Sequence, residues 1–127
     1  MGPEQNKAVV RRNLEEVFNQ RNFEVADELF SSEYIVHPSL PASPTGPERV
    51  KRIFASMQEA FPDIQVHIDA MVAEGDMVAT RMTYSGTHAP TGKQATWPAT
   101  LFSRLAEGRL LEEWFLTDSA QLEAQLE

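Results

Sequence analysis

The sequence predicts an α+β fold in which three N-terminal helices pack on a strongly bent, mostly antiparallel sheet that encloses a cavity. Apolar residues recur at helical spacing through the first half of the chain. Beyond Pro62 they recur at every second position. The strands follow one another through short turns, as a meander does, with no helix between them. A sheet bent partly around helices leaves a cone, which is a natural ligand cavity.

From Glu4 to Gln20 the residues Val10, Leu14, Val17 and Phe18 mark an amphipathic helix. After the break at Arg21-Asn22, a second helical pattern carries Phe23, Ala26, Leu29 and Phe30. Glu33-Tyr34-Ile35-Val36-His37 is rich in β-branched and aromatic residues and reads as a short strand ending at Pro38. Pro38 to Pro47 holds four prolines and a glycine, which marks a loop. Thr45-Gly46-Pro47 opens a third helix with Val50, Ile53, Phe54 and Met57 on one face, and Pro62 closes it.

In the first long strand Ile64, Val66, Ile68, Ala70 and Val72 alternate with Gln65, His67, Asp69, Met71 and Ala73, predicting one buried face. Glu74-Gly75-Asp76 turns the chain into a strand from Met77 to His88. Ala89-Pro90-Thr91-Gly92 leads to a strand from Gln94 to Leu105, and Glu107-Gly108 to one from Arg109 to Thr117. A short polar helix closes the sequence.

At 127 residues the chain reads as one domain spanning 1–127, long enough to bury a core without covalent staples. It has no cysteine, so disulfides, thiolate metal sites and cysteine nucleophiles are excluded together. The net charge of −8, with Lys and Arg scattered among acids, argues against a nucleic-acid partner. No apolar run is long enough to span a bilayer and the start is polar, so we expect a cytoplasmic protein and no membrane partner. The histidines lack the close spacing of a ligand pair, and we expect no metal.

Several short motifs follow one another in order: His37-Pro38, Thr45-Gly46-Pro47-Glu48, Phe61-Pro62-Asp63, and Glu74-Gly75-Asp76 with Val78 and Arg81. Then come Gly86-Thr87-His88, Pro90-Thr91-Gly92-Lys93, and Trp114 with Asp118 before Leu122 and Gln125-Leu126. Together with the element order, they resemble the SnoaL-like polyketide cyclases (ester cyclases) of the NTF2-like superfamily over essentially the whole chain. The resemblance implies an NTF2-like cone, ring closure by intramolecular aldol chemistry without cofactor or metal, and a late carboxylate as general acid/base, matched here by Asp118. It also implies a hydrophobic small-molecule substrate and a homodimer formed through the outer sheet face, where Met77, Ala79, Arg81 and Thr83 lie. In many relatives an insertion separates the Gly-Thr-His and Pro-Thr-Gly-Lys segments. Here only Ala89 does, so the hairpin is shorter.

Spacing also points to Asp118. In the last strand Leu110, Glu112, Trp114, Leu116 and Asp118 share one face by the two-residue period, so if Leu110 and Trp114 face the cavity, Asp118 does too. A carboxylate on an apolar wall has a raised pKa and becomes a proton shuttle near neutral pH. The other reading of Asp118 is that it simply N-caps the helix that starts at Asp-Ser-Ala-Gln. Glu112 is either a second cavity carboxylate or the partner of Arg81 or Arg104. His37 and His88, at strand ends, are candidate proton carriers or carbonyl donors; each could instead serve local hydrogen bonding. His67 falls on the polar side of its strand. Trp114, Tyr84 and Phe54 are candidate substrate contacts, and Trp97 and Phe102 further aromatic bulk; some of these must be core.

These readings predict a cofactor-independent cyclase or isomerase that forms an enolate in a hydrophobic cavity. An epoxide hydrolase on the same fold would need a second ionised acid, for which Glu112 is the candidate. A non-catalytic ligand-binding or assembly module remains the alternative from another class.

Overall fold

A computed structural model describes residues 2–38 and 43–127. The Pro-rich loop expected from Pro38 to Pro47 falls partly on residues 39–42, outside the described residues.

Helix α1 (Pro3–Arg12) begins with proline and Glu4 in its first turn and ends with Arg11 and Arg12, as the helix dipole favours. It runs on as a π-helical segment, Asn13–Asn19, whose inward face carries Asn13, Leu14, Val17 and Phe18. The expected helix from Glu4 to Gln20 is therefore one continuous rod of two kinds. Its end is pinned by Asn19, whose amide donates to Val66 O at 2.9 Å and accepts from Val66 N at 2.8 Å. That side chain satisfies one residue of an edge strand, much as a neighbouring strand would.

A 3-10 turn (Phe23–Val25) and the single turn α2 (Ala26–Leu29) replace the expected second helix. Phe30 belongs instead to β1 (Phe30–His37), where it pairs with Leu110 and meets the Tyr34 ring edge-on at 4.6 Å. The His37–Pro38 peptide is cis. Helix α3 (Pro47–Ala60) follows, then β2 (Gln65–Glu74), β3 (Met77–Thr87), β4 (Gln94–Ala106), β5 (Arg109–Thr117) and α4 (Ser119–Leu126).

The five strands form one sheet in the order β1-β5-β4-β3-β2. The meander is antiparallel, and β1 joins its far edge parallel to β5. Phe18 centres the core, meeting Phe54 edge-on at 4.8 Å and Tyr84 at 5.5 Å. Tyr84 in turn stacks on Trp97.

Two bulges reset which residues face that core. In β2, Ile68 pairs with Met82 and Ala70 with Arg81, leaving Asp69 as an extra residue. The expected alternation holds through Ile68 and then inverts: Met71 and Ala73 pack on the core, while Val72 is 67% exposed. In β5, Leu110 pairs with Leu105 and Glu112 with Arg104, so Leu111 is the extra residue. An inserted residue moves every following side chain to the other face.

Gly46 precedes α3 at φ +73°, donating its N–H to Tyr34 O at 2.9 Å. A Cβ there would sit 2.8 Å from Ser32 O, a backbone atom that cannot swing aside. Positive φ and the clash act together, so Gly46→Ala is expected to cost roughly 1–3 kcal/mol. Chemical denaturation would show it as a lower midpoint with an unchanged slope.

Candidate active site

Between α3, the π-helical segment and the inner sheet face lies a cavity of about 230 Å³. Its walls are mainly apolar, formed by residues such as Leu14, Val50, Ile53, Phe54, Met82 and Phe115. The polar groups set into them are few: Glu113, Tyr34, Tyr84, Asn13, Arg49 and, at the rim, His37. In such a pocket a few polar groups among apolar walls fix the orientation of a ligand.

Glu113 is its only acid among the described lining residues, and it is 3% exposed. It lies opposite Ser103 on β4 and opposite Val36 on β1, two residues beyond Tyr34. Both neighbouring strands therefore serve its carboxyl. Tyr34 Oη donates to Oε1 at 2.7 Å and Ser103 Oγ donates to Oε2 at 2.5 Å. Burial raises its pKa, the two donors pull it back, and the balance leaves it pushed up to about 7. Burial likewise raises the Tyr34 and Tyr84 phenols, with the nearby Glu113 charge adding to it, so both stay protonated.

The bulge at Leu111 corrects the face expected for β5. Glu113 and Phe115 point inward, whereas Glu112, Trp114 and Leu116 lie on the outer side. Glu112 is ion-paired there with Arg104 at 2.7 Å and lies 2.7 Å from His37 Nε2. Arg104 first, and His37 second, hold the Glu112 carboxyl below its ordinary range. Trp114 stacks on the His37 ring at 5.5 Å and is not among the lining residues. The line Glu112-Trp114-Asp118 does not share the cavity face.

Asp118 is exposed, and its Oδ1 accepts from Gln121 N at 2.9 Å, the geometry of an N-cap on α4. Asp118→Ala should cost about 1 kcal/mol, read as a small drop in melting temperature. His88 begins the β3–β4 turn, with Nδ1 3.0 Å from Thr91 Oγ1 and its ring 5.2 Å from Phe61. It does not line the cavity. His37, Tyr84 and Phe54 do. His67 lies exposed beside Asp69, and Phe102 is on the outer face. Trp97 is buried in the core.

Reasoning from the sequence missed Glu113 with its donors Tyr34 and Ser103, and also Arg49 and Asn13. A signal for Glu113 was present in Leu110-Leu111-Glu112-Glu113-Trp114-Phe115, three doublets in which either register puts one leucine, one acid and one aromatic inside. Among the described residues, no group of three or more His, Asp or Glu side chains could hold a metal.

An α+β cone of NTF2-like architecture with a buried carboxyl in an apolar cavity defines a class of small-molecule pocket proteins. Within that class, the SnoaL-like polyketide cyclase family model matches residues 8–126, and the chain belongs to that family. It is similar to IdmH from Streptomyces antibioticus at 28% identity and TM-score 0.85, covering 96% of this chain and 98% of that one. TsrD from Streptomyces laurentii superposes with TM-score 0.89 at 21% identity, covering 99% and 97%. A SnoaL-like polyketide cyclase from Agrobacterium tumefaciens gives 0.84 at 14% identity, covering 100% of both chains. No curated protein matches the chain in sequence. No helix among the described residues is long and apolar enough to cross a membrane.

Proposed function

We propose that the protein is a cofactor-independent cyclase or isomerase in which Glu113, rather than Asp118, is the general acid/base. The observation that carries this reading is the placement of Glu113, a buried carboxyl in an apolar cavity with a hydrogen bond to each oxygen. The ionised carboxylate removes a proton from carbon next to a substrate carbonyl. The Tyr84 hydroxyl lines the same cavity and has no partner among the described residues, so it can donate to the oxygen of the forming enolate. The enolate carbon then attacks a second carbonyl of the same molecule, forming the ring bond. Protonated Glu113 returns its proton to the new alkoxide, so the product is an isomer of the substrate.

Membership of the SnoaL-like family supports cyclase-type chemistry. The epoxide-opening alternative needs a second cavity carboxylate, and Glu112 is held outside by Arg104. His37 lines the cavity while its ring engages Glu112 and Trp114 on the outer side. In this reading it meets substrate at the entrance, and Phe54 packs against the substrate inside. The test is exchange of α-protons of cyclic ketones in deuterated water, followed by NMR above the enzyme-free background. Activity in the native protein that survives Glu113→Gln would sink the assignment.

The same reading includes a homodimer through the outer sheet face. Phe102 pairs with Ala79 on one side and with Trp114 on the other, forming a cross-strand apolar row with Phe102 50% exposed. Sedimentation should give twice the monomer mass, and Phe102→Lys should return it to the monomer.

A further inference from the structure

Arg49 stands in the first turn of α3, where the helix dipole disfavours a cation. It lines the cavity and is half-buried, and among the described residues no carboxylate lies within ion-pairing distance. Its neighbours behave differently: Glu48 and Lys51 pair with each other, and Lys51 also reaches Asp27. Its charge favours the Tyr34 phenolate, in keeping with the two residues lining the same cavity. A cation that is half-buried, unpaired and set against the local dipole breaks three local preferences, and such breaks concentrate where a ligand repairs them.

A second group on the π-helical segment has the same character. Asn13 is 1% exposed and lines the cavity, and its Oδ1 is buried with no hydrogen-bond partner. An unmet buried acceptor is costly, and turning the Asn13 amide over about its own axis brings its oxygen to the cavity wall, where it can accept a ligand O–H or N–H. The cavity volume of about 230 Å³ falls below the ~300–1,000 Å³ common for drug-sized ligands, which limits the occupant to about one or two rings.

We propose that the cavity is built for a small cyclic acid, with a free carboxylate bound by Arg49 and a hydroxyl or N–H donated to Asn13, rather than for the corresponding ester. This rests on the reading of the cavity as a substrate site and names the substrate class. An ester would leave the guanidinium unpaired. Arg49 offers paired donors that match the two oxygens of a carboxylate.

The test is binding rather than turnover, so it separates from the assignment of Glu113. The probes are a hydroxynaphthoic acid with its carboxyl and hydroxyl at opposite ends, its methyl ester, and naphthoic acid itself, titrated calorimetrically into the full chain. The hydroxy acid is expected to bind at least about tenfold more tightly than its ester. Arg49→Gln should abolish that preference, Arg49→Lys should restore part of it, and Asp118→Asn, outside the cavity, should leave it in place. Asn13→Leu should remove the advantage of the hydroxy acid over naphthoic acid. Equal binding of acid and ester, a preference that survives Arg49→Gln, or no binding of either probe overturns the proposal. Loss of exchange in Glu113→Gln with no acid preference would leave the general base standing and the substrate class wrong. The reverse pattern would do the opposite.

Discussion

Glu113→Gln is expected to lower α-proton exchange by about 10²–10⁴-fold while leaving the fold intact. Glutamine keeps the shape of the side chain and can still accept from a hydroxyl, and Tyr34 and Ser103 can turn their own hydroxyls to accept from the new amide. What it lacks is an exchangeable proton on a group balanced near neutrality. The pH profile of the native protein gives a second readout. A base must be ionised, so exchange should rise about tenfold per pH unit below about 7 and level off above it. Asp118→Asn is the control. Its side chain is exposed on the cap of α4, so the rate should stay within about twofold of the native value, the size of a small second-order effect. A loss in Asp118→Asn matching that in Glu113→Gln would return the chemistry to the end of β5.

The same carboxyl should set the pH dependence of stability. Its pKa rises from 4.5 in the unfolded chain to about 7 in the folded one. Between those values the folded state keeps a proton that the unfolded state has lost, so stability falls as pH rises through this window. The contribution is fully present below about pH 4.5 and gone above about pH 7, and it amounts to roughly 3 kcal/mol. The groups facing Glu113 are Tyr34, Ser103, Tyr84 and, through Tyr34, the Arg49 guanidinium. None of the phenols ionises in this window, since burial raises both. Glu113→Gln removes the titration. Its melting temperature relative to the native protein should therefore climb by about 10 °C from pH 4 to pH 8. A difference that stays flat across that range would show that the carboxyl does not hold its proton.

Both expectations depend on one inserted residue, Leu111. The order of elements, the change of period at Pro62, the turns and the Pro47 helix start were legible because each is a local matter. Backbone sterics, turn chemistry and the spacing of apolar residues decide them within a few positions. The family resemblance was legible for the same reason, since its motifs sit at turns and element ends. The face of β5 was not legible. Leu110-Leu111, Glu112-Glu113 and Trp114-Phe115 are doublets, so both registers give the same pattern of apolar, acid and aromatic. Asp69 in β2 is a parallel case, and there the misread residues run from Ala70 to Ala73: Ala70 and Val72 are exposed while Met71 and Ala73 pack on the core.

By itself the sequence determined an α+β chain with helices first, a meander after, and carboxylates near the end of the last strand. Only the tertiary structure decided which carboxylate enters the cavity. Pairing with Arg104 and Leu105 on β4 expels Leu111 from the ladder, and the strand then turns Glu113 toward Tyr34 and Ser103. It also brought Arg49 and Asn13, from two separate helical segments, to the same cavity. Register and convergence are set by contacts distant in sequence, and no spacing within a single strand or helix can encode them.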